Sequence, residues 1–140
     1  MTNAAEHVSM HSFQCRVYSE DTDFMGIVYH ANYLRYFERA RTEFLSVIGF
    51  SLTDMEKYDT YFAIYESHLR YIRPARLGDD LLIQSECTPE KACSLVFNQR
   101  LYHAMNQLVC EAVVQVVCVN QELKPKRLPA SLTGFLMGDE

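Results

Sequence analysis

From Ser12 to Tyr18 the chain alternates, with Phe13, Cys15 and Val17 on one side and Ser12, Gln14, Arg16 and Tyr18 on the other. A period of two marks a half-buried strand. The pattern then changes to steps of three and four. Tyr33, Tyr36, Phe37, Ala40, Phe44, Val47 and Ile48 share one face, and Arg35, Glu38, Arg39, Thr42, Glu43 and Ser46 fill the other. This predicts an amphipathic helix of about sixteen residues, about 24 Å long, with Gly49 at its C′ position. Its apolar face is too aromatic for a slim helix–helix seam, so a sheet is its natural partner. Ser51 to Tyr58 predicts one short further helix, capped by Ser51 or Thr53.

Beyond Asp59 the chain is β-rich. Strands are expected near Tyr61–Tyr71, Leu81–Cys87, Cys93–His103 and Leu108–Val119. In the last of these, Cys110, Ala112, Val114, Val116 and Cys118 form an unbroken apolar face. The opposite face is also largely valine, so this strand is expected inside the sheet. Gly78-Asp79-Asp80, Pro89-Glu90-Lys91 and Ala104-Met105-Asn106-Gln107 supply turn chemistry. The fold class that follows is α+β, an antiparallel sheet of about five strands curled around one long helix. We expect a leader over 1–11, one domain over 12–130 and a tail over 131–140. A sheet of this kind leaves strand edges that a second copy commonly covers, so a homodimer or a dimer of dimers (a homotetramer) is expected.

Composition narrows the function. The 140 residues suit one domain with a sizeable core. No apolar run approaches the roughly 20 residues that span a bilayer. Met1 to Met10 lacks the basic and apolar regions of a secretory signal, so the cytoplasm is the expected compartment. A net charge of −5 argues against a nucleic-acid partner. The five cysteines include no CxxC pair, and all lie in strand-like segments. Buried free thiols are therefore expected. His7 and His11 stand i, i+4 in a segment without helical pattern, and Glu20 and Asp21 lack further oxygen ligands at regular spacing. No metal and no cofactor is predicted.

One connection is unusual. Between the first strand and the long helix run Glu20-Asp21-Thr22-Asp23-Phe24-Met25-Gly26-Ile27-Val28-Tyr29-His30-Ala31-Asn32-Tyr33. It mixes carboxylates with buried-looking apolar residues and ends at a helix start, where Asn32 is a candidate cap. Such loops are often sites. On the residues alone, Asp23 reads more readily as a turn or capping carboxylate than as a catalytic one.

The motifs resemble those of the 4-hydroxybenzoyl-CoA thioesterase family of hotdog-fold proteins, in its YbgC-like branch. The likeness runs through Arg16-Val17-Tyr18, the D-T-D-x-x-G-I-V-Y-H-A-N-Y core from Asp21 and Phe37-Glu38-Arg39-Ala40-Arg41-Thr42-Glu43. It continues at Glu66-Ser67-His68-Leu69-Arg70-Tyr71 and Arg73-Pro74-Ala75-Arg76-Leu77-Gly78-Asp79, and spans about residues 12–128. The resemblance implies hydrolysis of an acyl-CoA or acyl-carrier-protein thioester within lipid metabolism. It implies a dimer with its sites at the interface, Asp23 as the key acid and the backbone N–H near His30 as the oxyanion donor. Position 24 is commonly small in this family, whereas this chain has Phe24, so a different acyl preference is expected.

A thioester suits this machinery, because a thiolate leaves readily and one carboxylate suffices as nucleophile or general base. Asp21 is expected to be a solvated or Arg-paired loop carboxylate. The His30 side chain either orients substrate or packs against the helix start. Candidate substrate contacts are Tyr18, Phe24, Gly26, Val28, Tyr29, Glu66, Ser67 and His68. Arg70, Arg73, Lys126 and Arg127 are candidates for the phosphates of coenzyme A. Two rival readings stay open: a hotdog dehydratase, and a non-catalytic module that binds acyl thioesters or acyl carrier protein.

Overall fold

The computed structural model describes residues 10–138. Its strands are β1 (Met10–Arg16), β2 (Tyr61–Tyr71), β3 (Asp80–Lys91), β4 (Ser94–His103) and β5 (Leu108–Val119). They form one antiparallel sheet in the spatial order β1-β3-β4-β5-β2. The helices are α1 (Asn32–Val47), α2 (Leu52–Tyr58) and α3 (Ala130–Leu136). The α+β class expected from the periodicities is the class observed.

Alternation builds the core. Leu81, Ile83 and Cys87 of β3, Leu95, Phe97 and Leu101 of β4, and Cys110, Val114, Val116 and Cys118 of β5 are all buried on one face. Register aligns them in rows such as Cys87–Phe97–Val114 and Ile83–Leu101–Cys110. Onto that face α1 lays Tyr33, Tyr36, Phe37, Ala40, Phe44 and Leu45. The rings of Phe44 and Phe97 meet edge to face at 6.0 Å. Truncating a ring of this kind to Ala typically costs about 3–5 kcal/mol.

The helical stripe needs one correction. Val47 is 65% exposed, whereas Leu45 is buried. The chain turns back after Gly49, and Leu45, Leu52, Met55 and Phe62 line a common cleft. Ser51 caps α2 in a reciprocal box with Asp54.

Three boundaries also move. β1 begins at Met10, and His11 stacks on Phe44 at 5.6 Å, so the last residues of the expected leader belong to the sheet. His7 lies outside the described residues. β3 runs on through Pro89 to Lys91, and the turn falls at Ala92-Cys93. Pro89 pairs with Leu95 beside a register shift at the end of the β3–β4 ladder, an irregular strand end where proline is tolerated. The segment expected as a tail forms α3, whose Leu132 and Leu136 enter the core. An i, i+4 apolar pair on a helix of seven residues was too short a signal to predict it.

The cysteines are free, with Cys87, Cys110 and Cys118 buried and Cys15 and Cys93 partly so. Burial pushes the Cys110 thiol up to about 12 and those of Cys15 and Cys118 to about 11.

β2 lies at the sheet edge and, among the described residues, pairs only with β5 and leaves its other edge unpaired. Ile64 and Tyr65 are about half exposed beside a bulge.

Candidate active site

The unusual connection folds into a small hairpin. Thr22 and Val28 form an antiparallel bridge, and the Asp23 N–H donates to the Ile27 carbonyl at 2.9 Å. The Gly26 N–H closes a tight turn onto the Asp23 carbonyl at 3.1 Å. Gly26 has φ +80°, a left-handed conformation that disfavours any side chain there. A second layer clamps the hairpin from behind. Val28 N–H donates to Ala75 O, Leu77 N–H to Gly26 O, and Ile27 bridges to Arg76.

Asp23 is partly buried at the base of the turn. Its Oδ1 accepts the Met25 N–H at 2.8 Å. Among the described residues, Oδ2 has no hydrogen-bond partner. The carboxylate is thus held by one oxygen and presents the other.

The other arm of the hairpin runs through Tyr29 and His30 into α1. Asn32, expected as a cap, is instead the first helical residue, and the cap position falls on Ala31. No side chain caps this helix end, and its first turn carries no acidic residue. Among the described residues the N–H groups of His30 and Ala31 donate to no acceptor. An uncapped helix start combines free donors with the positive end of the macrodipole, the combination that stabilises an oxyanion.

Around the hairpin stand exposed apolar side chains. Phe24 is 97% exposed, and Tyr18, Met25 and Tyr29 are about half exposed or more. The His30 ring packs on Tyr29 at 4.7 Å and edge-on to Tyr71 at 6.4 Å. The Tyr71 hydroxyl donates to the His30 carbonyl at 3.2 Å.

Several candidates fall elsewhere. Val28 is 4% exposed and belongs to the core, so it anchors the hairpin rather than lining a site. Along β2, Ser67 and Leu69 pair with the buried Val114 and Ala112, which places them on the helix side. Glu66, His68 and Arg70 therefore stand on the outer face. There His68 Nε2 lies 2.6 Å from Glu66 Oε2, and Arg70 pairs with Glu111 at 2.9 Å. Of the Glu66-Ser67-His68 triplet, only Ser67 shares the face of the sheet on which α1 lies.

Lys126, expected among the phosphate ligands, is held within the chain. Its ammonium donates to Asp59 O at 2.9 Å, Thr60 Oγ1 at 3.2 Å and Tyr58 O at 3.3 Å, at the C-terminal end of α2. All three of its donors are spent. Arg73 and Arg127 are exposed.

Asp21 departs furthest from expectation. It is 4% exposed and no arginine pairs with it. Its carboxylate accepts the Tyr18 N–H at 2.9 Å and the Asn32 Nδ2 at 3.1 Å. Sequence reasoning missed this link and missed Tyr71. The parity of β2 with Ser67 and Leu69 puts Tyr71 on the helix side, but no local rule joins residues 21 and 32.

The chain matches the family model of the thioesterase-like superfamily over residues 17–136. It is 47% identical over 118 residues to the acyl-CoA thioester hydrolase YbgC of Escherichia coli, covering 84% of this chain and 88% of that one. A probable thioesterase from Bartonella henselae superposes with a TM-score of 0.81 at 35% identity, covering 86% of this chain and 100% of that one. The 1,4-dihydroxy-2-naphthoyl-CoA thioesterase Slr0204 of Synechocystis gives 0.83 at 25% identity, covering 91% and 95%. The sheet wrapped on α1 is the hotdog arrangement of these neighbours. The chain therefore belongs to the thioesterase-like superfamily, as a thioester hydrolase of the YbgC-like branch.

Proposed function

We propose that this protein hydrolyses acyl-CoA thioesters to a free acid and coenzyme A, with Asp23 as nucleophile or general base. The observation that carries the reading is the hairpin itself, which bears one unpartnered carboxylate oxygen on one arm and leads through the other into the unused N–H groups of His30 and Ala31. As nucleophile, Asp23 attacks the thioester carbonyl carbon and expels the CoA thiolate, leaving a mixed anhydride that water opens. As base, it takes a proton from the attacking water. Either route develops an oxyanion at the helix start. Removing one such donor typically costs about 2.7–4 kcal/mol of barrier. The leaving thiolate needs little acid assistance, because free thiols ionise near pH 8.5.

The exposed Phe24, Met25, Tyr18 and Tyr29 form an apolar rim around Asp23 and support a site completed by a second copy. The unpaired edge of β2 supports the same reading. A monomeric mass by light scattering at micromolar concentration would count against the dimer. Phe24 stands where it would meet the acyl group, and a panel of acyl-CoA and acyl-carrier-protein thioesters tests chain length and carrier. Asp23→Asn is the decisive variant. Thiol release should fall by several orders of magnitude while fold and mass stay unchanged. Turnover near wild type would refute the assignment. An enoyl-hydration assay separates this reading from a dehydratase.

A further inference from the structure

A helix start is usually secured by a Ser, Thr, Asp or Asn side chain that accepts from the N2 or N3 N–H. α1 has no such cap. Its position is set differently, by three links that converge on one residue. The Asp21 backbone carbonyl accepts the Tyr29 N–H at 2.9 Å, at the end of the hairpin. One carboxylate oxygen accepts the Tyr18 N–H, at the exit from β1. The other accepts the side-chain amide of Asn32, the first residue of α1. Asp21 and Asn32 are each 4% exposed, and the wholly buried Tyr36 lies behind them. The ionisation of the Tyr36 hydroxyl is pushed up by burial and then by the neighbouring Asp21.

The link to Asn32 has a property an ordinary cap lacks. It uses a side-chain amide as the donor, so it holds the helix end without occupying a backbone N–H.

We propose that Asp21 is a positioning residue. Through Asn32 it fixes the start of α1 against the hairpin that carries Asp23, in place of a cap, and so holds the unused His30 and Ala31 N–H groups in position for the oxyanion. This rests on the thioesterase reading above. Asp21 touches no substrate in this scheme and its effect is geometric.

The consequence is a loss confined to the transition state. A displacement of about 1 Å between reacting groups can cost about 10²-fold in rate. Oxyanion donors act on kcat more than on KM.

The test uses three variants of the full chain, assayed for thiol release from an acyl-CoA the wild type hydrolyses. Asp21→Ala removes both carboxylate links. Asn32→Asp sets two carboxylates against each other. The double variant Asp21→Asn with Asn32→Asp reverses the pair: the amide at 21 still accepts from Tyr18 and now donates to the carboxylate at 32.

Each single variant should lose about 10²-fold in kcat with KM within about threefold of wild type. The double variant should recover most of the kcat lost by Asn32→Asp. A folded Asn32→Asp with wild-type kcat overturns the proposal. So does a folded double variant no faster than Asn32→Asp, because reversal would then fail to restore position. If Asp21→Ala does not fold, the other two variants still decide. If the wild type releases no thiol from any acyl-CoA, the thioesterase reading itself fails, which is a separate outcome.

Discussion

Replacing Lys126 by Met separates two roles for one side chain. The sequence places this lysine among basic residues suited to a phosphate, whereas the structure spends its ammonium at the C-terminal end of α2. Met keeps most of the length and apolar contact and removes the charge. Tyr58 and Asp59 are exposed, so their carbonyls rehydrate, and each lost bond costs about 0.5 kcal/mol. Thr60 is 1% exposed, and its hydroxyl oxygen loses an acceptor interaction worth about 1 kcal/mol. Losing a cation near the helix C-terminus adds a few tenths of a kcal/mol, at the low end of the usual ~0.3–1. The sum is about 2 kcal/mol, or about 6 °C in Tm for a chain of this size. The assay pairs thermal or urea unfolding with acyl-CoA kinetics. KM should remain within about twofold, since no phosphate contact is lost. A tenfold rise in KM with unchanged stability would refute the reasoning and restore the phosphate role.

Gln99→Leu should cost about 2–4 kcal/mol, read as a lower urea midpoint at constant m. Gln99 is 1% exposed, donates to Phe37 O and Ser85 Oγ, and accepts from Arg41. Burial has already lowered the Arg41 guanidinium to about 10, and the variant removes the one side-chain acceptor it has among the described residues. An unchanged midpoint would sink this account. The buried thiols predict an alkaline limit. Cys110 and Cys118 stay protonated in the fold up to about 12 and about 11, whereas exposed thiols ionise near 8.5. The unfolded chain therefore binds fewer protons in that window. Stability should decline as pH rises above about 8.5, approaching 1.4 kcal/mol per pH unit for each thiol. Flat stability between pH 8 and 10 would contradict it, as would rapid labelling of either thiol in the native protein.

The elements that were legible in the sequence are those whose signal is periodic. β2 and β5 emerged with the bounds expected, and α1 with the expected length, because each buries one face and repeats that choice over many residues. α3 was missed because seven residues are too few to show a period. The connection and its glycine were recognised through the motif, its folding into a hairpin was not, and Gly26 with φ +80° is the conformation such a turn requires.

What the sequence determined alone was the class of fold and the buried thiols, which follow from local chemistry, from alternation, residue size and turn propensity. The loop proposed to carry the chemistry was marked by its likeness to a family motif. Only the tertiary structure decided which carboxylate is buried and which is presented. Asp21 and Asp23 are two residues apart and of the same type, yet one is tied to Asn32 and the other has a free oxygen. Likewise, register and parity sent Glu66 and His68 to the outer face, and α2 claimed Lys126. Each of these depends on a partner far along the chain, and a hydrogen bond between residues distant in sequence leaves no spacing to read.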